Sequence, residues 1–475
     1  GYAIDRFFSY IYTDNGILSD PVAVSSTYII LFIIFSAFLS ASRVGDYFVN
    51  FAFAAAGRAR GGPAKVAVFA SGLMGMINGT SAGNVVATGS LTIPLMKKVG
   101  YRPRTAAAIE AAASTGGQIM PPIMGAGAFI MAEVTGIPYP EIAVAAIIPA
   151  VLYFLAVFLM VDFEAAKLGM RGMHKKDLPV FSKMAAQVYL FIPIVILITA
   201  LFMNYSVIRA GTLALVAAAV VSWLTPYRMG PAGIFRALRL GAEMSIQIIA
   251  VCACAGIIVG VIALTGVGAR FSSLLLGVAS STLLPAGTGQ LLALFFAMVI
   301  AIILGMGMPT TAAYAVAASV VAPGLIQLGL EPLVAHFFVF YFAVISAITP
   351  PVALAAYAGA AIANSEPMQT SVTAFKLGLA AFIVPFMAVY SPSLFMEGEW
   401  DEIVHVAVTA SVGIYLLAAA VQGWFLGPLN LPLRIASIVA ALALIEGGLV
   451  TDLVGLGLGG AVFAWQMVQR TGRVA

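Results

Sequence analysis

The chain has 475 residues, of which 62% are hydrophobic and only 9% are charged. Because about a quarter of the residues in a soluble domain are charged, this composition excludes a soluble domain and indicates a polytopic membrane protein. The net charge of +4 is small and its Lys and Arg are spread over several loops, so nucleic-acid binding has no support. Segments of alternating hydrophobicity do not recur, so we expect an all-α protein rather than an outer-membrane barrel.

Two local features bear on processing and on redox chemistry. The chain begins at Gly1 and no signal segment follows, which predicts that it is part of a longer product. Cys252 and Cys254 lie two positions apart in an apolar run. On a helix they point to different sides, so we interpret them as small hydrophobic residues rather than as a metal or redox pair.

Positive charge predicts the topology of the first half, because cytoplasmic loops collect Lys and Arg. A span at 24–41 is followed by the basic residues Arg58, Arg60 and Lys65. The next 31 residues, 66–96, carry no ionisable side chain, and Lys97 and Lys98 follow them. This stretch is too short for two crossings of about 20 residues each, yet both of its ends are basic. It therefore predicts a re-entrant helical hairpin with a glycine-rich tip at 75–83.

The next segments alternate across the membrane in the same way. A span at 105–134 is interrupted at Pro121-Pro122, and a span at 142–161 returns to a basic cytoplasmic loop. Further spans are predicted at 188–203 and 210–224, and they lead to another basic group, Arg228, Arg236 and Arg239.

The second half repeats this plan with the opposite charge flanks. After a span at 244–264, the 60 residues 271–330 contain no Asp, Glu, Lys, Arg or His and have no basic cluster at either end, which predicts that both ends lie outside. A shift of 230 positions aligns the first tip with the second and places Gly75 on Gly305 and Ser81 on Thr311. A shift of 229 places Pro121-Pro122 on Pro350-Pro351. These matches predict an inverted-topology repeat, which is typical of transporters.

Other segments complete the predicted architecture. Segments 46–58 and 269–284 are expected to lie along the membrane interface as arm helices. The acidic loop 397–402 is expected outside the membrane. Further spans are predicted after the second repeat, at 376–391, 404–420, 435–446 and 449–468.

Two hairpin tips and two Pro-Pro breaks predict one binding site where they meet, because unwound backbone within a membrane is tolerated only in protein or beside a watery cavity. Helix ends there offer amides to an anion and carbonyls to a cation. The substrate-binding candidates are Ser81, Asn84, Gln118, Thr310 and Thr311. Further candidate oxygen donors are Asn78, Thr80, Ser114, Thr115 and Thr349. The alternative is that these are small residues that allow close helix packing in lipid.

Five runs of the sequence are long enough to be specific for a family. They are Arg60-Gly-Gly-Pro-Ala-Lys65, Asn78-Gly-Thr-Ser-Ala-Gly-Asn84, Ile93-Pro-Leu-Met-Lys-Lys-Val-Gly-Tyr101, Ala111-Ala-Ala-Ser-Thr-Gly-Gly-Gln-Ile-Met-Pro-Pro122 and Gly305-Met-Gly-Met-Pro-Thr-Thr311. With these runs the chain resembles the large membrane subunit of tripartite ATP-independent periplasmic (TRAP) transporters, in the branch that pairs with TAXI-type binding proteins. The resemblance extends from Gly1 to about Phe395.

This resemblance implies an elevator-type secondary transporter in the bacterial inner membrane, multi-pass in the lipid bilayer. It implies ion-coupled uptake of a carboxylate, delivered by a periplasmic TAXI-type binding protein, and a small membrane subunit that is either fused upstream or separate. No cofactor is expected apart from a coupling ion. If that ion is Na⁺, the resemblance places its sites at Asn78, Gly79, Gly116 and Gly117, and at Met308, Thr310, Ala347 and Thr349.

The expected division of the chain follows the repeat. It comprises a scaffold span and arm helix (1–64), a first transport repeat (65–135), scaffold spans with a cytoplasmic loop (136–243), a second scaffold span and arm helix (244–289), a second transport repeat (290–365) and C-terminal spans (366–475).

Three other functions compete with this interpretation. Gly79-Thr-Ser-Ala-Gly83 matches a nucleophile elbow, so Ser81 with His336 as base would make an intramembrane serine hydrolase, although that motif requires a preceding strand. A channel, or a divalent-anion symporter that needs no binding protein, would share the predicted spans. The choice between sodium and proton coupling stays open, because Glu110 precedes the first break. We expect Glu110 to face the cytoplasm and to pair with Arg102 or Arg104.

Overall fold

A computed structural model describes residues 3–174, 176, 178–225, 228–280, 288–446 and 448–471. Within these ranges the chain is helical and contains no β-strand. The helices of the first half are α1 (Ile4–Ile11), α2 (Asp20–Val24), α3 (Ile30–Ala41), α4 (Val44–Ala56), α5 (Gly62–Asn78), α6 (Ser81–Lys98), α7 (Pro103–Gly116), α8 (Gly127–Thr135), α9 (Tyr139–Ala145), α10 (Ile147–Lys167), α11 (Phe181–Ala185), α12 (Ile192–Phe202) and α13 (Val207–Ser222).

The second half continues with longer helices. They are α14 (Pro231–Thr265), α15 (Val267–Ala279), α16 (Thr288–Gly305), α17 (Thr310–Gln327), α18 (Pro332–Ile345), α19 (Leu354–Ala363), α20 (Pro367–Gly378), α21 (Val384–Tyr390), α22 (Trp400–Gln422), α23 (Leu431–Glu446) and α24 (Leu449–Thr471). Eight helical segments of the described chain are long and apolar enough to cross a membrane. The prediction of a polytopic α-helical membrane protein is confirmed.

The helix α14 corrects one sequence prediction. It has 35 residues and begins at Pro231, 13 positions before the predicted start at Met244. Arg236 and Arg239 therefore lie on the helix and not in a loop. At 1.5 Å per residue the helix is about 52 Å long, which exceeds the hydrocarbon thickness of a bilayer. Its charged first turns can extend into the aqueous phase while the apolar remainder spans the membrane.

The two halves of the chain have matching secondary structure. The helices α7 and α18 both contain 14 residues and both begin at a proline, at positions that differ by 229. The helices α4 and α15 both contain 13 residues and begin with Val-Gly, 223 positions apart. Both Pro-Pro pairs contain a cis peptide bond. The internal repeat predicted from the sequence is therefore present in the order and length of the helices.

Each repeat consists of a helical hairpin and a broken helix. Hairpin 1 is α5 with α6, and broken helix 1 is α7 with α8; hairpin 2 is α16 with α17, and broken helix 2 is α18 with α19. The two repeats interlock, since α8 packs on α17 and α18 while α19 packs on α6 and α7. Glycines allow these crossings: a β-carbon at Gly127 would lie 2.9 Å from the Phe340 ring, and one at Gly359 would lie 2.9 Å from the Ala107 carbonyl oxygen. The hairpins and broken helices thus form one packed body.

A buried ion pair links hairpin 1 to α10. The Nζ of Lys65, which is only 5% exposed, lies 2.5 Å from the Asp162 carboxylate, and Arg60 also pairs with this carboxylate. Both cations belong to the run Arg60-Gly-Gly-Pro-Ala-Lys65 that precedes and begins α5. The run therefore fixes the start of the hairpin against its neighbour.

We expect Asp162→Asn to destabilise the protein by about 3 to 5 kcal/mol, because it leaves the Lys65 ammonium buried without a counter-charge. Arg60→Gln is the matched control, since the Arg60 side chain is 47% exposed and water can replace its partner. Thermal unfolding of the purified variants measures both effects. Equal midpoints for the two variants would show that the pair does not fix the hairpin.

Candidate functional site

The tip of hairpin 1 is a two-residue turn between α5 and α6. Gly79 adopts a φ of +65°, in the left-handed region that favours glycine. Thr80 is the N-cap of α6, and its hydroxyl accepts a hydrogen bond of 3.2 Å from the Gly83 amide. The first turn of α6 therefore directs its remaining free amides toward the space beyond the tip.

The side chain of Gln118, at the first break, holds this tip. In the amide orientation that satisfies its neighbours, Gln118 donates to the Gly79 carbonyl at 2.8 Å and accepts from the Thr80 amide at 3.0 Å. The main-chain carbonyl of Gln118 also accepts from the Gly125 amide at 2.7 Å, across the break. One buried glutamine thus joins broken helix 1 to both residues of the turn.

Close contacts at glycines join each hairpin to its own break, with backbone atoms in the first repeat and with the Ser346 side chain in the second. A β-carbon at Gly117 would lie 2.5 Å from the Gly75 Cα, and one at Gly75 would lie 2.4 Å from the Gly117 Cα. In the second repeat, a β-carbon at Gly305 would lie 2.6 Å from the Ser346 hydroxyl. Gly305 and Ser346 are the counterparts of Gly75 and Gly117 under the two shifts. The two tips are therefore positioned in the same way.

A cavity of about 240 Å³ lies between the two tips, and we call it the tip cavity. Thr80 and Ser81 line it from hairpin 1, whereas Met308 and Thr310 line it from hairpin 2. Further residues of the two hairpins also line it, namely Ala82, Gly83 and Pro309. The second break and the start of α19 contribute Ala347 and Leu354, and α14 contributes Gln247, Ile248 and Val251. The lining side chains are uncharged, so an occupant meets helix N-termini, hydroxyls and one amide.

Two hydroxyls near the tips have no partner within the described chain. Ser81 lines the tip cavity, whereas Thr311 directly follows the lining residue Thr310. Ser81 Oγ and Thr311 Oγ1 are both buried, and neither makes a hydrogen bond. They occupy equivalent positions in the two repeats, in the first turns of α6 and α17. Because a buried hydroxyl without a partner is costly, its occurrence at both equivalent positions indicates that a ligand or water satisfies them.

Other candidates from the sequence are satisfied by the protein itself. Asn84 donates to the Ser71 carbonyl at 2.8 Å, Thr115 to the Ala111 carbonyl at 2.8 Å and Thr349 to the Ile345 carbonyl at 3.0 Å. Gly116 packs on the Tyr153 ring, where a β-carbon would lie 2.3 Å away. The backbone of Asn78 ends α5, and its side chain lies outside the described part of the structure.

The two breaks do not contribute to the tip cavity equally. Ala347 and Leu354 place the second break on its wall, but Pro121 and Pro122 line a separate apolar cavity of about 250 Å³ that faces α12. The first break acts through Gln118 and the tip of hairpin 1. Gln247, whose side chain could reach an occupant, was missed by the sequence analysis because a lone glutamine in a 35-residue apolar helix carries no pattern.

The expectation that Glu110 pairs with Arg102 or Arg104 is wrong. Glu110 has no exposed surface and its carboxyl group is surrounded by hydroxyls, while Arg104 donates to Gln369 at 3.0 Å. Position 110 lies near the middle of the packed helix α7, too far along it for the basic residues at its start.

The structure also argues against the serine hydrolase. A helix and a turn precede Ser81, not a strand, and the Ser81 hydroxyl has no base within hydrogen-bond distance among the described residues. His336 is buried and its Nδ1 bonds the Tyr314 hydroxyl at 2.8 Å, within the second repeat.

Cys252 is buried and Cys254 is exposed, which confirms that they point to different sides of α14.

Comparison with known proteins decides the family. A family model described as "Tripartite ATP-independent periplasmic transporter, DctM component" matches residues 9–396, which is most of the chain. The chain belongs to this family of TRAP transporters. The family is one of transporters rather than enzymes.

The helices α22, α23 and α24 lie beyond the matched region. The first of them, α22, packs along α10, where Gln422 donates to the Met160 carbonyl at 3.0 Å.

Three of the curated relatives are named as TRAP transporter permeases. The chain is 23% identical over 369 residues to the isethionate TRAP transporter permease protein DctMQ of Oleidesulfovibrio alaskensis, a match that covers 76% of this chain and 56% of the relative. It is 30% identical over 134 residues to the C4-dicarboxylate TRAP transporter large permease protein DctM of Pseudomonas aeruginosa, covering 28% of this chain and 31% of the relative. A DctM protein of Vibrio cholerae is 38% identical over 91 residues, 19% of this chain. The chain thus spans little more than half of the first relative and about a third or less of the others.

Proposed function

We propose that this chain is the membrane permease for ion-coupled uptake of a small organic anion, which binds in the tip cavity. The observation that carries the proposal is the pair of unpartnered buried hydroxyls at the equivalent positions Ser81 and Thr311. In each repeat, the second helix of the hairpin carries in its first turn a buried hydroxyl that has no hydrogen-bond partner among the described residues. An occupant of the tip cavity would supply that partner. Because each repeat presents such a hydroxyl, the arrangement suits a single ligand that is held between the two repeats.

The chemistry of the cavity favours an anion. The N-terminal ends of two 18-residue helices, α6 and α17, reach its wall at Ser81 and Thr310. Helix N-termini attract negative charge through their free amides and the helix dipole. Three of the relatives are named for isethionate or for C4-dicarboxylates, which are organic anions. We therefore place a carboxylate or a similar anion here, held by amides and hydroxyls without a guanidinium.

A cation bound with the substrate would offset its charge during transport. The candidate sodium positions divide between the two tips and their breaks: Gly79 lies at the turn of hairpin 1, and Met308, Thr310 and Ala347 line the tip cavity. Neutral carbonyl and hydroxyl oxygens suit a hard cation such as Na⁺. Linkage requires that anion and cation each bind more tightly when the other is present.

We further propose that the interlocked repeats move as one transport domain. The packing of α8 and α19 across the repeats supports a rigid body, and the long helix α14, which lines the tip cavity, is a candidate for the fixed scaffold. In this elevator the two hairpins re-enter the membrane from opposite sides of the bacterial inner membrane. The substrate arrives on a periplasmic binding protein, which we propose is of the TAXI type, and a small membrane subunit completes the permease.

Uptake by reconstituted vesicles tests this function. The permease with its small subunit is incorporated into liposomes, and uptake of labelled organic anions is measured with and without the soluble binding protein. We expect uptake that requires both the binding protein and an imposed sodium or proton gradient. Uptake that proceeds equally well without the binding protein would favour a divalent-anion symporter, and flux without any gradient dependence would favour a channel.

The orientation of the chain provides a separate prediction. We expect Lys97 and Lys176 to face the cytoplasm and Gly287 and Glu399 to face the periplasm, because basic residues collect in cytoplasmic loops. Gly287 lies outside the described residues, so the test uses the other three positions. Single cysteines at these positions, in a chain with Cys252→Ala and Cys254→Ala, are treated with a membrane-impermeant thiol reagent from outside whole cells with a permeabilised outer membrane. Only the cysteine at position 399 should react; modification at 97 would overturn the inverted repeat.

A further inference from the structure

A buried polar cluster lies inside the first repeat, apart from the tip cavity. It consists of the Glu110 carboxyl and four hydroxyls that donate to it, from Ser71, Thr88, Thr92 and Ser114. The Ser71 and Ser114 hydroxyls lie 2.6 Å and 3.2 Å from Glu110 Oε1, and all five side chains are fully buried. We call it the Glu110 cluster, and it joins α5, α6 and α7 at one point.

No basic side chain is bonded to this carboxyl in the described chain. Of the charged side chains on the helices around it, Lys65 on α5 pairs with Asp162, Lys97 on α6 donates to the Ala363 carbonyl at 2.9 Å, and Arg104 on α7 donates to Gln369. Lys98 on α6 and Lys376 on α20, which packs on α7, are exposed, whereas Glu110 is fully buried. The helix α19, which also packs on α6 and α7, has Tyr357 as its ionisable side chain, and Tyr357 bonds the Pro351 carbonyl. An ionised Glu110 is therefore stabilised by hydroxyls alone.

The hydroxyls also leave no space for a metal ion. They contact the carboxyl oxygens directly at hydrogen-bond distance, so a cation could enter only after these bonds broke. A β-carbon at Gly89 would lie 3.0 Å from the Glu110 Cγ, which shows that the packing around the side chain is tight. A proton is the cation that fits this site without rearrangement.

The second repeat shows that the fold does not require the cluster. Under the shifts that align the repeats, its five members correspond to buried aliphatic residues, namely Ala301, Ala318, Ala322, Val339 and Ala343. All five polar side chains are replaced together at positions where the helices pack in the same way. Burying a carboxyl group is costly in the absence of strong compensation, so its presence in one repeat alone indicates a role other than packing.

The hydroxyls can serve both protonation states of the carboxyl group. When Glu110 is a carboxylate, the Thr92 hydroxyl donates to Oε2. When a proton binds, the new O–H donates to Thr92 Oγ1, and the Thr92 hydroxyl turns to the Thr88 carbonyl, which lies 3.0 Å away. Thr88 has a similar alternative acceptor, the Asn84 carbonyl at 2.8 Å. Proton binding thus needs only the rotation of hydroxyls.

We propose that Glu110 is a reversible proton-binding site of the transport cycle, which rests on the transport function proposed above. The cluster is connected to the tip of hairpin 1 by two routes. Asn84, three residues after Ser81, donates to the Ser71 carbonyl, and Gln118, which holds the tip, lies one turn beyond Ser114 on broken helix 1. A proton at Glu110 removes the negative charge that strengthens the hydrogen bonds from Ser71 and Ser114 to Oε1. We propose that this weakening reaches the support of the tip through Asn84 and Gln118.

Infrared spectroscopy of the purified full-length protein tests the proton site without any substrate. The probe is the proton itself: the carboxylic acid C=O band is recorded through a pH titration of the wild type and of Glu110→Gln. Because the chain has 19 Asp and Glu residues, Glu110 is identified by difference. We expect the wild type to show a band that is missing in Glu110→Gln and that is lost with a single midpoint as the pH rises. Glu133→Gln, which removes an exposed carboxyl group on α8, is the matched control and should retain the band.

A second variant keeps the test valid if Glu110→Gln does not fold. Thr92→Val removes the hydroxyl that serves Oε2, so the midpoint of the same band should shift relative to the wild type. A wild-type band assigned to Glu110 that does not change with pH, or a midpoint that Thr92→Val leaves unchanged, would overturn the proposal. Since no transport is measured, failure of the reconstituted uptake would refute the transport function separately.

Discussion

The double substitution Ser81→Ala and Thr311→Val is expected to reduce uptake by about fivefold to about 150-fold without destabilising the protein. The two hydroxyls have no partner in the described chain, so removing them breaks no internal hydrogen bond. If an anion accepts both hydroxyl protons, losing two hydrogen bonds of about 0.5 to 1.5 kcal/mol each gives this range. Thermal unfolding should show an unchanged or raised midpoint, because an unpaired buried hydroxyl is itself unfavourable.

Thr115→Val is the matched control for this prediction. The Thr115 hydroxyl is buried like that of Thr311, but it donates to the Ala111 carbonyl within its own helix. Its loss should lower stability slightly and leave substrate affinity unaffected. If the double variant took up substrate at the wild-type rate, Ser81 and Thr311 would be packing residues and the tip cavity would lose its main support.

The second large effect is expected from Gly117→Ala, which should destabilise the protein by about 1 to 3 kcal/mol or more and abolish uptake. The new β-carbon would lie 2.5 Å from the Gly75 Cα and 3.1 Å from the Ser71 carbonyl oxygen. Both contacts involve backbone atoms that cannot rotate away, so hairpin 1 must move from broken helix 1. Because Gln118 follows directly in the chain, its bonds to Gly79 and Thr80 should be lost as well.

Gly277→Ala provides the control for an added methyl group. Gly277 lies in α15, and a β-carbon there meets no atom within 4 Å. Thermal unfolding and gel filtration of both variants in detergent compare them directly. Since Gly75→Ala disturbs the same contact from the other side, combining it with Gly117→Ala should cost less than the sum of the two single changes. Strict additivity would show that the two glycines do not form one contact.

Much of the fold could be predicted because charge and repetition are visible in a sequence. The uncharged run 66–96 with basic ends predicted a hairpin. In the structure, α5 and α6 form this hairpin, and together they extend a few residues beyond each end of the run. The shift of 229 positions predicted equivalent Pro-Pro breaks. The helices α7 and α18, which precede these breaks, both contain 14 residues. Such features are local or periodic, so they need no knowledge of how the helices pack.

The candidate site could be predicted only in part, because a sequence does not show which hydroxyls remain unpaired. In the sequence, Asn84 and Thr349 were candidates on the same grounds as Ser81. In the structure, however, the side chains of both donate hydrogen bonds to backbone carbonyls. The partners of Glu110 come from three helices, so its pairing with a nearby arginine was a reasonable but wrong expectation. Gln247 reaches the tip cavity only through the packing of α14.

The most direct test of the tip cavity measures substrate protection of a cysteine at Ala82, which lines the cavity and is partly exposed. The Ala82→Cys variant, with Cys254→Ala, is reconstituted with the small subunit and labelled by a thiol reagent with and without a transported anion. We predict that the anion slows labelling at position 82, whereas labelling of native Cys254, followed in a chain without the cysteine at 82, stays the same. Equal labelling rates at position 82 with and without an anion that the same vesicles take up would contradict binding between the two tips.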